Sequence, residues 1–230
     1  MQTKFSASQL ESPEVREIES ILRNCVHCGF CLSDCPTYNI LGDERDSPRG
    51  RIYLIKDLIE SNGGSAELVK PHVDKCLSCL ACTSVCPSGV DYQHYIDFAR
   101  YYLEQYITRP LFEKFARWFI AKTIPNPHLF RFALICSRLV KPISVLLGKR
   151  IQTIVKLVPT KVIKNSILDT PQSFTPKGKS RLRVALLAGC AQQVLRPSIN
   201  EATIRLLNRL NCEVVLAEKV GCCGALVHHL

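Results

Sequence analysis

Eight of the thirteen cysteines fall into one spacing written twice: Cys25-x2-Cys28-x2-Cys31-x3-Cys35-Pro36, then Cys76-x2-Cys79-x2-Cys82-x3-Cys86-Pro87. Runs of this kind hold [4Fe–4S] clusters, and where two runs occur the fourth cysteine of each ligates the cluster of the other. The spacing suits a cube with an iron at four corners. A tight x2-x2 loop wraps three irons, and a distant thiolate supplies the fourth. Cys25, Cys28, Cys31 and Cys86 are therefore expected on one cluster, and Cys76, Cys79, Cys82 and Cys35 on a second. The proline after each fourth cysteine favours an extended residue before it, which turns the chain away from the site. Such sites carry single electrons.

Other cysteine chemistries fit less well. Structural zinc would use two CxxC pairs, whereas each run has three cysteines in series and then a fourth. Disulfides need an oxidising compartment, and residues 1–24 contain no apolar stretch of the kind that directs export. An odd cysteine count also leaves one thiol over in any full pairing. The expected location is the cytoplasm, with the inner face of the membrane as a possible docking surface.

Around the two runs the periodicity is helical. Ser12-Pro13-Glu14 reads as a helix start and leads into a helix over 14–23. Ser47 caps a second helix with Pro48 at its first position. That helix runs to about residue 61, carries the stripe Ile52, Ile55, Leu58 and Ile59, and stops at Asn62-Gly63-Gly64. Helices over 66–74 and 91–107 complete the segment, which has no strand signal. The expected fold class is mainly α. An all-α two-cluster ferredoxin-like domain (1–107) is followed by a basic helical segment and linker (108–180). An incomplete α/β cysteine-rich domain (181–230) comes last.

The formal charge of +10 is unevenly distributed. Residues 1–106 are net −5, with 10 bases and 15 acids, whereas 107–165 hold 12 bases and one acid, Glu113. Leu111, Phe112, Phe115, Trp118 and Phe119 share a helical face in that basic stretch, a pattern that suits an anionic membrane or a partner's groove. The alternative is that this face packs on the chain's own domains. Asn126 caps a second helix over 128–140, and Pro142 starts a third. No nucleic-acid motif accompanies the charge, so nucleic acid is not an expected partner. No stretch reaches the length needed to span a bilayer.

Past a linker at 170–183 the period changes. A strand at 182–187, a helix at 197–210 and a strand at 213–216 make a βαβ unit, the start of a parallel sheet. Cys190 and Gly221-Cys222-Cys223-Gly224 lie within it as a possible, incomplete further metal site. Cys136 and Cys212 have no motif partner and are expected as buried small apolar residues.

Taken together, these segments resemble the iron–sulfur subunit of glycolate oxidase (glycolate dehydrogenase), apparently cut short in its C-terminal cysteine-rich domain. The resemblance rests on Cys25-Val26-His27-Cys28-Gly29-Phe30-Cys31, Cys35-Pro36-Thr37-Tyr38, Leu41-Gly42-Asp43-Glu44, Pro48-Arg49-Gly50-Arg51-Ile52, Cys86-Pro87-Ser88-Gly89-Val90 and Gly189-Cys190-Ala191-Gln192. In that family a cysteine-rich domain carries C-x(n)-C-C-G-x(n)-C-x-x-C, usually twice. Only the first half of one copy is present here.

The resemblance implies an electron-transfer subunit. A flavoprotein partner carrying FAD oxidises glycolate to glyoxylate, and two [4Fe–4S] clusters on this chain pass electrons toward a quinone or other membrane acceptor. Membrane contact would run through 108–165. No acid–base or nucleophilic constellation is visible, so substrate chemistry belongs on another chain. Arg49 and Arg51 are expected either to raise cluster potentials or to pair with Asp43, Glu44 or Asp46. His27 either donates to cluster sulfur or faces solvent. Alternative readings are the iron–sulfur subunit of another respiratory dehydrogenase (anaerobic glycerol-3-phosphate, lactate, heterodisulfide-reductase-like) or a cluster-binding fragment that assembles with nothing.

Overall fold

A computed structural model describes residues 1–142, 149–159, 163, 166, 170–218 and 222–229. The chain forms two compact units, Met1–Pro110 and Leu111–His228. The first contains six α-helices and no strand.

Helix α1 (Pro13–Asn24) starts where the Ser12 side chain accepts the Val15 amide. It buries Val15, Ile18, Ile21 and Leu22 and ends at Cys25, which is extended. Helix α2 (Pro36–Leu41) opens on proline and closes at left-handed Gly42. In α3 (Pro48–Glu60) the Ser47 hydroxyl accepts the Gly50 amide at 3.0 Å, as the Ser-Pro signature predicts. Helices α4 (Ala66–Asp74), α5 (Ala81–Ser84) and α6 (Tyr92–Glu104) follow, the last capped by Asp91 rather than including it.

The expected α3 stripe is the centre of the core. Ile55, Leu58 and Ile59 are fully buried with Leu22, Val69, Val73, Ile96 and Leu103. Tyr95 is buried among them, and its hydroxyl donates to the Ile52 carbonyl at 2.9 Å. This core holds α1, α3, α4 and α6 in place. The cysteine loops emerge from the C-terminal ends of α1 and α4.

Close packing fixes Gly50. A β-carbon there would stand 2.0 Å from the Glu44 carbonyl oxygen, so the first turn of α3 can lie on the 44–46 turn only without a side chain. Gly50 is thus the packing reason within the Pro-Arg-Gly-Arg-Ile segment.

The second unit begins with α7 (Leu111–Thr123), α8 (Pro127–Val140) and α9 (Lys149–Lys156). Asn126 caps α8 as expected, accepting the His128 and Leu129 amides. The helix expected from Pro142 runs into residues outside the described ones. After these come β1 (Gln172–Phe174), β2 (Leu182–Ala185), α10 (Cys190–Leu195), α11 (Pro197–Arg209), β3 (Cys212–Leu216) and α12 (Ala225–His229). The sheet order is β1-β3-β2. The β2–β3 pair is parallel, as the βαβ reading requires, and β1–β3 is antiparallel.

Strand β1 corrects the sequence reading. Gln172–Phe174 fall within the expected linker, yet they pair with Val214–Leu216 and cover what would be an open edge of β3. Three residues flanked by prolines carry too little alternation to be recognised alone. The basic segment is likewise no free linker, because α8 packs on α10 and the Arg131 guanidinium donates to the Gln193 carbonyl at 2.9 Å. Cys212 is buried, but Cys136 is partly exposed, contrary to expectation, because it lies off the inward line of Arg131 and Leu134. The α7 face does not pack away either: Leu111, Phe112, Phe115, Trp118 and Phe119 are all exposed.

Gly50→Ala is expected to cost about 1–3 kcal/mol, the usual penalty for overpacking. The urea unfolding midpoint of the chain measures it, and an unchanged midpoint would show that the 44–46 turn yields freely.

Candidate metal centre

The two cysteine loops share a backbone device that composition does not reveal. In the first, His27 and Gly29 have positive φ (56° and 85°), and in the second Ser78 and Leu80 do (49° and 58°). These are the same positions in each run, one residue before and one after the second cysteine. Left-handed non-glycine residues cost roughly 1–2 kcal/mol each, so the repeat of this conformation marks a shape imposed by function. It curls each loop around its own three cysteines.

The loops and the distant cysteines converge crosswise. Cys25, Cys28 and Cys31 line one cavity together with Cys86. Cys76, Cys79 and Cys82 line another with Cys35. Counting their open mouths, the cavities measure about 450 and 320 Å³. Cys82, Pro48 and Tyr92 border both, so the cavities are neighbours across a thin wall. No carboxylate lines either. Within each loop the middle cysteine, Cys28 or Cys79, is exposed, while Cys25, Cys35 and Cys82 are buried.

Thiols gathered in this way resist ionising when alone. Burial pushes the Cys82 thiol up to about 12, and neighbouring Cys76, Cys31 and Cys35 reinforce the shift. Cys31 is raised for the same two reasons, burial first and then Cys25 and Cys28, with the Arg49 backbone amide working against them. A site of buried, mutually repelling sulfurs is stable as thiolate only when a cationic group binds and displaces the protons. All-sulfur donor sets select soft metals, and the four thiols lining each cavity with no carboxylate fit an iron–sulfur cluster.

Donors surround the sulfurs. The Val90 amide donates to Cys86 Sγ at 3.4 Å, and the Tyr92 hydroxyl lies 3.9 Å from Cys76 Sγ. The His27 Nε2 atom is buried, borders the first cavity and has no hydrogen-bond partner in the protein. An orphaned nitrogen at the edge of a thiol-lined cavity fits a donor waiting for cluster sulfur. Burial, with Arg49 next, lowers the pKa of the ring.

Arg49 and Arg51, equal in the sequence, part company here. The Arg49 guanidinium pairs with Glu44 at 2.8 Å and donates to the His27 carbonyl at 3.3 Å while remaining partly exposed. Arg51 is 1% exposed. Its Nε donates to the His72 carbonyl at 2.7 Å, and Nη2 donates to the Thr37 hydroxyl at 3.0 Å. Nη1 reaches Cys35 Sγ at 3.9 Å, and Asp46 lies 3.8 Å from Nη2.

Asp46, also buried, accepts from Lys75 at 2.8 Å and faces His72 Nδ1 at 2.7 Å. Burial opposes its ionisation, yet the Lys75 and His72 hydrogen bonds together prevail and hold the carboxyl below its usual value. The expected ion pairing holds for both arginines, Arg49 with Glu44 and Arg51 with Asp46, and Arg51 in addition lies beside Cys35. Tyr92, Thr37, His72 and Lys75 gave no motif signal, since each is ordinary until the fold brings it to a sulfur or to Asp46.

In the second unit Cys190 and Cys222 come together, with their sulfurs 3.7 Å apart, and the Gly224 amide donates to Cys222 Sγ at 3.4 Å. Burial, then Cys222, raises the Cys190 thiol. Cys223 is exposed. Gly221 lies outside the described residues.

Residues 21–90 match the family described as 4Fe-4S dicluster domain, and residues 184–229 match the Cysteine-rich domain family. Over all 230 residues the chain is 39% identical to the glycolate oxidase iron-sulfur subunit of Escherichia coli (strain K12), covering 53% of that protein. It is 32% identical to the probable glycolate oxidase iron-sulfur subunit of Bacillus subtilis (strain 168), covering 55% of it. An uncharacterized iron-sulfur protein of Methanocaldococcus jannaschii is 22% identical over 93% of this chain. The chain spans about half the length of the first two relatives. No solved structure matches it. The resemblance read from the sequence is thus borne out: over its whole length this chain is similar to glycolate oxidase iron–sulfur subunits.

Asp46→Asn should destabilise the chain by about 3–5 kcal/mol, because removing one member of a buried ion pair strands the others. The pH profile carries the same signature. A carboxyl lowered in the folded state contributes stability above its unfolded value and loses it as pH falls below about 4. Urea unfolding at several pH values should show that acid-sensitive portion in the native protein and not in the variant. Equal stability would mean that the network contributes nothing.

Proposed function

We propose that this chain is the electron-transfer subunit of a flavin-dependent dehydrogenase of the glycolate oxidase type, and that it performs no substrate chemistry itself. One observation supports this above the rest: two cysteine runs about 50 residues apart deliver four sulfurs each to two adjoining cavities, in the crossed pattern expected of paired clusters. Cys25, Cys28, Cys31 and Cys86 would hold one [4Fe–4S] cluster, and Cys76, Cys79, Cys82 and Cys35 the other. Such clusters supply one-electron acceptance and donation at potentials set by charge, hydrogen bonds and exposure.

The chain's own residues do the rest. They hold the two sites side by side across the Cys82–Pro48–Tyr92 wall, exclude carboxylates, and present Cys28 and Cys79 at the surface. Val26, Phe30 and Leu77 beside those two cysteines are exposed apolar residues suited to partner contact. The partner in this reading is a flavoprotein with FAD. The substrate, by likeness to the relatives, is glycolate, and the acceptor is a quinone. The alternatives remain another respiratory dehydrogenase or a fragment without a partner. Cys190, Cys222 and Cys223 would be three ligands of a further site.

A peripheral membrane contact belongs to the same reading. Among the described residues no helix is long and apolar enough to cross a membrane. Helices α7 and α8 nevertheless expose Phe112, Phe115, Trp118 and Phe132 within the basic segment. Aromatic and basic residues together suit an anionic lipid surface at the inner face of the membrane.

Anaerobic purification from the source cells tests the electron path. The preparation should contain iron and sulfide for two cubes, and glycolate should bleach its visible absorbance when flavin co-purifies. Clusters reduced by dithionite but not by glycolate would overturn the glycolate assignment, and identifying the co-purified chains would then show which dehydrogenase it serves. For the membrane contact, sedimentation with vesicles should show binding to anionic but not to neutral lipid. Phe115→Ser with Trp118→Ser should weaken it, and equal binding to both lipids would count against the contact.

A further inference from the structure

The two cavities have the same ligands, the same loop shape and one exposed cysteine each, yet their electrostatic surroundings differ. Beside the cavity of Cys35, Cys76, Cys79 and Cys82 lies Arg51, whose Nη1 is 3.9 Å from Cys35 Sγ and whose side chain is shut off from water. The charges grouped around it are Asp46, Lys75 and His72. Arg51 is buried together with Asp46, and Lys75, which is partly exposed, brings a second positive charge to the same carboxylate. The Tyr92 hydroxyl adds a neutral donor at Cys76 Sγ, and Tyr92 is buried.

Beside the cavity of Cys25, Cys28, Cys31 and Cys86, the nearest guanidinium is Arg49, which is partly exposed and already paired with Glu44. The Met1 ammonium binds the Cys25 carbonyl at 2.8 Å, but it is half-open to water. The Val90 amide at Cys86 Sγ is a dipole only. Water screens the exposed charges strongly, whereas the buried guanidinium acts in a low-dielectric setting. Adding an electron adds negative charge, so the site with a buried guanidinium directed at one of its sulfurs, 3.9 Å from Cys35 Sγ, takes it more readily.

We propose that the cavity of Cys35, Cys76, Cys79 and Cys82 holds the higher-potential cluster, set apart by Arg51 and Tyr92, and is where an electron entering this chain comes to rest. The inference rests on the two-site ligand assignment proposed above. The reductant is the reduced flavin of the partner, one electron at a time, and the oxidant is the downstream quinone. The exposed Cys79 and Leu77 then mark the face from which electrons leave.

The test is a redox titration of the anaerobically purified full chain, followed by electron paramagnetic resonance. The step that Arg51→Gln shifts marks the cluster of Cys35, Cys76, Cys79 and Cys82, and it should be the step reduced first in the native chain. Arg51→Gln should make that step about tenfold harder, a shift of 59 mV for one electron, and leave the second step in place. Arg51→Lys should restore most of it. Tyr92→Phe, which removes one oxygen and preserves the packing, should lower the same step by a smaller factor and serves if Arg51→Gln does not fold. If Arg51→Gln shifts only the step reduced second, the order is wrong. If the first step is unmoved in both Arg51→Gln and Tyr92→Phe, the assigned cause is wrong. Iron and sulfide for only one cluster would overturn the ligand assignment itself, and the order with it.

Discussion

A guanidinium buried beside a cysteine sulfur is the constraint on which the first unit turns. Arg51 leaves α3, reaches the last turn of α4 through the His72 carbonyl, touches α2 through Thr37, and approaches Cys35. An unpaired charge so deep would be prohibitive, and Asp46 is there to meet it. Asp46 in turn needs Lys75 and His72. One positive charge at the sulfur therefore dictates the 44–46 turn, the glycine that lets α3 lie on it, and the join between the helices after the first loop and α4, which leads into the second. Asp43 and Glu44, which look like partners for the arginines in the sequence, serve Arg45 and Arg49 at the surface.

The hydrophobic core supplies rigidity that the loops lack. The cysteine runs are short and strained and cannot hold their own shape. Their ends are set by α1 and α4, and α6 returns from the second run over the same core. Tyr92 and Tyr95, on successive turns near the start of α6, divide the work. Tyr95 fastens to the Ile52 carbonyl deep in the core, and Tyr92 turns its hydroxyl to Cys76. The helix is thereby a support on one turn and part of a site on the other.

The second unit has a different logic. A parallel β2–β3 pair with α11 against it is a beginning that β1 closes on one side. Cys190 opens the short helix α10 that follows β2, and Cys222 follows β3, so the two thiols meet beyond the carboxyl ends of adjacent parallel strands. That is where α/β sheets commonly carry their sites. The exposed aromatic faces of α7 and α8 belong to this unit and not to the cluster-bearing one.

Two periodicities carried most of what could be read in advance. The x2-x2-x3 cysteine spacing specified thiol-rich sites because ligand spacing is a local property. The α3 stripe, the Ser12, Ser47 and Asn126 caps and the βαβ order were legible for the same reason: each depends on neighbours within a few residues. Strand β1 was not legible, because three residues form a strand only when a partner edge is supplied from forty residues away. The face of α7 and the partly exposed Cys136 were likewise beyond local pattern, since periodicity says that a face is apolar but not what covers it. Arg49 and Arg51 show the division most clearly. Two residues apart, with the same side chain and the same set of nearby acids, they are indistinguishable in sequence. A 200° turn of helix between them sends one toward water and the other into the protein beside Cys35. The sequence determined which atoms could bind metal. Only the tertiary structure decided which sulfurs meet and which of the two receives a buried charge, because burial is set by everything packed around a residue and not by the residue itself.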